Sequence, residues 1–167
     1  METIAVYWEA RVKVYGITGK PALAMGVLHF PAEHIGLWSE RLMELEAALK
    51  CFELVTCNGA EEGRMQLSTV IETSGRDTLL QLMNGWLEGE LSQFLMVDQV
   101  DLVFLHGPHF QDRFGIADTA FSALANNNIR IMLSGCAGTS MYLVFAGGEG
   151  DTAMKILTDT FLIPTIA

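Results

Sequence analysis

Apolar and polar positions along the chain follow two alternating periods. Residues 11–18 (Arg-Val-Lys-Val-Tyr-Gly-Ile-Thr) alternate and predict a strand, ended by a break at Gly19-Lys20-Pro21. Residues 22–30 form a mostly apolar run suited to a strand covered on at least one face. After the loop Pro31–Gly36, apolar residues at Leu37, Trp38, Leu42, Met43, Leu45, Ala48 and Leu49 recur at helical spacing to about Lys50. Cys51–Cys57 predicts a strand, 58–63 a hairpin loop, and Arg64–Thr73 the partner strand. A second helix is expected from Asp77 to about Trp86, and a short strand over 92–97.

The pattern then restarts. Val100–His106 reads as a strand, 107–115 as a loop and Ile116–Asn126 as a helix. Ile129–Leu133 reads as a strand, 134–139 as a turn, Ser140–Phe145 as the returning strand and Asp151–Phe161 as a helix. The order strand, helix, strand, strand, helix thus occurs twice, at an offset of about 78 residues. This repeat of a split βαβ unit predicts an α+β chain of two ferredoxin-like modules. Each would have an antiparallel sheet with two helices on one face, and the bare face favours pairing of units.

Composition narrows the function classes. The chain has 167 residues, 10 basic and 20 acidic side chains, and a formal net charge of -10. Nucleic acid and anionic membrane surfaces both require clustered Lys and Arg, so neither is an expected partner. A mean hydropathy of +0.31 is high for a chain whose apolar runs stop short of a membrane span. Buried strands, plus apolar surface covered by a partner subunit, account for it. The opening Met-Glu-Thr-Ile lacks a basic segment followed by an apolar one, and the three cysteines are an odd count. Both point to a cytoplasmic chain without a disulfide framework.

No set of residues makes a catalytic constellation. His106-Gly-Pro-His109 holds two imidazoles three apart but has no third ligand nearby in sequence, so no metal is expected. Cys51 and Cys57 are too far apart for a redox Cys-x-x-Cys pair and read as small buried hydrophobes. Cys136 lies in Ser134-Gly-Cys-Ala-Gly138 with no base specified to activate it. Gly16-Ile-Thr-Gly19-Lys20 is too short for a phosphate loop, and no cofactor is expected. Gly147-Gly148-Glu149-Gly150 reads as a turn, with Asp151 or Thr152 available to cap the helix that follows.

Two loops are less easily explained by packing, Pro31–Gly36 and Gly107–Gly115, each leading from a buried strand into a helix. A helix start offers backbone N–H groups to a carboxylate, and Glu33 or Asp112 could pair with an ammonium. A free amino acid carries both charges.

From about residue 11 to 163 the chain resembles the ACT-domain regulatory region of aspartokinases. The second half carries most of the likeness: Gly107–Gly115, then Ile116-Ala117-x-x-Ala120-Phe121-x-Ala123-Leu124, then Asn128-Ile129-x-Ile131-Met132, the Ser134-Gly135 turn and the strand to Phe145. In the first half, Pro31–Gly36 stands where the family has Pro-Asp-Lys-Pro-Gly, with Glu33 at the acidic position, His34 for Lys and Ile35 for Pro. Asn58 ends a strand as in the family, Cys57 stands for Gln, and Glu61-Glu62-Gly63 matches the hairpin loop.

The resemblance implies one module over 16–97 and a second over 98–167, with 5–18 lending a strand to the second. It also implies an effector amino acid, lysine or threonine in the family. Its site would involve Glu33, His34, Gly36, Cys57 and Asn58, with Asn126, Asn128 and Ile129 across the interface. Asp112 and Gly115 belong to the corresponding loop of the second module. The family's kinase domain has no counterpart in these residues, and some aspartokinases have a small separate regulatory subunit of this extent. The expected protein is therefore a non-catalytic amino-acid sensor, no enzyme in itself, that forms a homodimer and has a kinase or other biosynthetic enzyme as its candidate partner. The alternative is an assembly module that binds no ligand.

Overall fold

A computed structural model describes residues 12–87, 92–107 and 115–163. Chain contacts divide into two units, Pro21–Val100 (the first) and Asp101 onward together with the residues up to Lys20 (the second). The fold is α+β, with antiparallel strands and four α-helices.

The first unit takes most of β1 (Gly16–Pro31), then α1 (Ile35–Leu49), β2 (Leu54–Gly59), β3 (Arg64–Glu72), α2 (Arg76–Leu87) and the start of β4 (Gln93–His106). Its strand order is β2-β3-β1-β4. Leu28 and Phe30 alternate onto the helix-facing side of β1, and Leu67 and Ile71 do the same on β3. Trp38 and Leu45 on α1 are two turns apart, and Leu79 and Met83 on α2 one turn apart, so each helix presents a single buried stripe.

In the second unit the order is β1-β4-β6-β5, built from the ends of β1 and β4 with α3 (Ile116–Asn126), β5 (Leu133–Ala137), β6 (Ser140–Ala146) and α4 (Gly150–Thr160). Ile116, Ala120 and Leu124 fall four apart on α3, Ala153 and Leu157 likewise on α4, and Met141, Leu143 and Phe145 alternate on β6. Before β1, Lys13 bridges Leu162 in parallel, and Tyr15 N–H donates to the His106 carbonyl. None of the helices among the described residues is long and apolar enough to cross a membrane.

Four elements differ from the sequence pattern. The break expected at Gly19-Lys20-Pro21 lies inside one strand, β1. Pairing with β3 begins only at Leu23, so Pro21 withdraws no donor from that ladder, and Ala22 absorbs the irregularity with φ 58°. The strands expected at 92–97 and 100–106 are likewise one strand, β4, with Gln99 at φ 57°. The strand expected at Ile129–Leu133 begins instead at Leu133. Asn128 turns left-handed, and Asn128 and Ile129 N–H bond back to Ala125 and Leu124, so this segment closes α3. Ser134-Gly135-Cys136 is consequently strand and not turn. Gly135 is required there, because a Cβ would lie 1.9 Å from the hydroxyl of its cross-strand partner Tyr142. The reversal is the two-residue loop Gly138-Thr139.

The fourth difference is the cap of α4. Neither Asp151 nor Thr152 supplies it, since no side-chain bond is made from the N-cap position. Asp101 on β4 does so from a distance: its Oδ2 accepts from Gly148 N–H at 2.8 Å and Gly150 N–H at 2.9 Å. The carboxylate is buried, and a Cβ on Gly150 would press to 2.7 Å from the Asp101 Cβ. A charged acceptor on two helix-start donors ties β4 to α4.

Two substitutions test these local arguments. Asp101→Ala leaves two donors at a buried helix start without their carboxylate and should destabilise the chain by about 2–4 kcal/mol, read from the urea midpoint. Ala22→Gly removes the side-chain cost of a left-handed residue and should raise stability by up to about 1 kcal/mol, where Ala22→Val lowers it.

Candidate functional site

The loop from β1 into α1 holds three of the residues singled out by the sequence. Glu33 and His34 lie in a 3-10 turn (Ala32–His34), Glu33 exposed and His34 half-buried, and Gly36 is the second residue of α1. No side-chain hydrogen bond caps the first turn of α1. A Cβ on Gly36 would meet nothing within 4 Å, so the helix start opens onto free space.

Beneath this start lies a cavity of about 130 Å³ lined by Phe30, Ile35, Trp38, Ser39, Leu42, Cys57 and Leu67. Cys57 and Leu67 are direct cross-strand partners of β2 and β3, and together they form its floor. Trp38 forms a wall. Its ring packs 5.8 Å from Phe30 and edge-on to Trp86 at 6.4 Å, with the Arg41 guanidinium 4.6 Å from its centroid. These contacts hold the indole in one orientation. Its Nε1–H is buried with no protein acceptor, a cost of about 1–3 kcal/mol that an acceptor on a ligand would relieve.

Cys57 and Asn58 are neighbours on β2, so strand alternation sends their side chains to opposite faces. Cys57 borders the cavity with Ile35 and Ser39, but neither it nor Cys51 is the buried hydrophobe expected from the sequence: both are exposed, Cys51 just past the end of α1 and Cys57 on the outermost strand β2. Asn58 pairs with Gln66, in the polar row of the other face. There His29 Nε2 lies 3.1 Å from Gln66 Oε1, and Gln66 Nε2 donates to the buried Ser68 Oγ at 3.2 Å. The buried Thr56, cross-strand partner of Ser68, completes the row. Sequence reasoning missed His29, Gln66, Ser68 and Thr56 as a group. Their signal was the alternation of polar positions 66 and 68 along β3, which becomes a cluster only once register is known.

In the second unit, Gly115 occupies the N-cap of α3 at φ 90°. Asn126 ends that helix, Asn128 is left-handed just beyond it, and Ile129 packs against the core. Gly115 and the Asn126–Ile129 segment therefore sit at opposite ends of α3, about 16 Å apart. Asp112 and His109 lie outside the described residues. His106 is engaged at both nitrogens, by Ser140 Oγ at 2.9 Å and Thr18 Oγ1 at 3.1 Å. Among the described residues no three His, Cys, Asp or Glu side chains group as metal ligands. Gly16–Lys20 is strand, not a phosphate-binding loop.

No family model and no curated protein sequence matches this chain. Solved structures do match it in fold. The regulatory subunit of aspartate kinase from Thermus flavus superposes with a TM-score of 0.78 at 12% identity, over 90% of this chain and 99% of that one. A structure of aspartokinase alpha and beta subunits gives 0.74 at 17% identity, over 88% and 97%. Escherichia coli aspartokinase III, solved with lysine and aspartate, gives 0.63 at 17% identity, over 93% of this chain and 35% of that one. The chain thus has the ferredoxin-like fold of aspartokinase regulatory subunits, and its architecture agrees with the one expected from the internal repeat.

Cys57 offers a direct probe of the cavity. Burial pushes its thiol above the ordinary cysteine range. At pH 8 it should therefore react with iodoacetamide more slowly than the thiol of an unstructured cysteine peptide, a difference that urea abolishes. Peptide mass spectrometry after timed quenching reads the rate, and equal rates before and after unfolding would contradict a raised Cys57 thiol pKa.

Proposed function

We propose that this chain is a non-catalytic regulatory protein of two ACT modules that senses a free amino acid and passes its presence to a partner enzyme. The observation that carries this reading is the extent of the fold likeness. It spans 97% and 99% of small regulatory or paired-subunit chains, not just part of a larger enzyme. The loop from β1 into α1 agrees with it: the helix start has no side-chain cap, though its Ile35 N–H already bonds the Ala32 carbonyl, and it lies beside the exposed Glu33 carboxylate, so the two could serve the ends of a zwitterion. Glu33 receives the ammonium, and the first turn of α1 receives the carboxylate. The family likeness also offers Asn126, Asn128 and Ile129 of the second unit as ligand residues, and lysine or threonine, of the aspartate-derived class, as effectors to be tested.

In this reading the effector binds one arrangement of the modules better than another. The population shifts by the difference in affinity, and the partner reads the shift. A kinase subunit is the partner that the regulatory-subunit likeness favours, and a cytoplasmic homodimer is the state in which it would act.

A second reading, an assembly module without a ligand, is favoured by a different observation. Phe121 and Met132 are exposed beside one another in the second unit, bordering a shallow depression with Ile131, Leu133 and Ser134. Apolar surface of this kind is commonly covered by another subunit.

A thermal-shift screen of the twenty amino acids separates the two readings. A ligand at one hundred times its dissociation constant adds about 2.7 kcal/mol, which raises Tm by about 5–10 °C for a chain of this length. Glu33→Ala and Asn128→Ala should each abolish the shift. If no amino acid at millimolar concentration moves the midpoint, the sensor reading yields to the assembly reading.

A further inference from the structure

We infer that the cavity under α1 receives the side chain of the effector, and that this side chain is an uncharged aliphatic group of three or four carbons. The inference rests on the amino-acid-sensing reading above and specifies its ligand.

The wall chemistry comes first. Five of the seven lining residues, Phe30, Ile35, Leu42, Cys57 and Leu67, present carbon or sulfur, and none of the seven is charged. The Ser39 hydroxyl already donates to the Gly36 carbonyl at 2.8 Å. An ammonium placed here would be desolvated without a carboxylate to pair with, because Glu33 is exposed and outside the lining. A lysine side chain is therefore a poor occupant, whereas a branched hydrocarbon chain exchanges water for apolar contact.

Size comes second. A cavity of about 130 Å³ is slightly smaller than the about 150 Å³ protein cavity that holds a benzene molecule. An isobutyl, sec-butyl or isopropyl group fits that space, and an indole does not. The cavity also opens beside the exposed Ile35 and the unfilled space at Gly36, where the charged end of an amino acid can stay in water.

The test uses the full-length chain, with leucine, isoleucine, valine, lysine, threonine and 4-methylpentanoate, read by thermal shift and by alkylation of Cys57. A branched aliphatic amino acid should raise Tm by several degrees. At ten times its dissociation constant it should slow Cys57 alkylation about tenfold, while lysine and threonine do neither. Leu42→Phe fills the cavity and should remove that protection. Should this variant not fold, Ser39→Phe narrows the mouth from an exposed position and serves instead. If lysine or threonine binds and the aliphatic amino acids do not, the sensing reading stands and the aliphatic pocket is overturned. Aliphatic binding that leaves Cys57 unprotected places the side chain elsewhere and also overturns it. If no amino acid binds, or only 4-methylpentanoate does, the sensing reading fails and this inference fails with it.

Discussion

The packing of Trp38 is the contact on which the first unit turns. Its ring meets Phe30 of β1, Trp86 of α2 and the guanidinium of Arg41 one turn further along its own helix. One side chain thereby fixes α1 against the sheet and against its neighbouring helix. The cavity follows from it. An indole held on three sides cannot swing to fill the space between Leu42 and the Cys57–Leu67 pair, so that space stays open at the helix start. In the second unit the buried faces of the two helices carry Ala120 and Leu124 on α3 and Ala153 and Leu157 on α4.

Most of the architecture was legible because the core obeys simple periods. Ile116, Ala120 and Leu124 define α3 with the bounds that periodicity gives, and the repeat at 78 residues separates two equivalent units. The misses share a physical cause: each depends on one residue whose backbone or partner lies outside local pattern. Gly19-Lys20-Pro21 carries every local signal of a break, yet Ala22 takes the unusual φ and the strand continues. Ile129–Leu133 carries every local signal of a strand, yet the left-handed Asn128 sends its N–H groups back to α3. The cap of α4 was illegible because Asp101 lies 47 residues before Gly148 in the chain.

The candidate site was legible as a list and not as a shape. Sequence likeness placed Cys57 and Asn58 together, but strand alternation gives one to the cavity and the other to the polar row with Gln66. It also offered Glu33, His34 and Gly36 as charge and backbone groups for the ends of a ligand. The residues that line the cavity between them, Phe30, Trp38, Leu42 and Leu67, looked like ordinary core in the sequence. Periodicity cannot tell an apolar residue that fills the core from one that borders a void.

The second unit separates its candidate residues in another way. Gly115 and Asn128 both fit an effector site when read along the chain, but the full length of α3 lies between them. A single amino acid is much shorter than that helix and cannot touch both ends. The two ends of α3 must therefore belong to different interactions. The Asn128 end has the N–H groups of Asn127, Asn128 and Ile129 spent on α3 carbonyls, and the Asn127 side-chain amide donates to the Ala123 carbonyl, which leaves chiefly acceptors there. Those groups favour an ammonium or a partner's donors over a carboxylate. The start of α1 offers the opposite polarity, an uncapped helix N-terminus. The apolar wall of Trp38 and Leu42 lies beside that helix start.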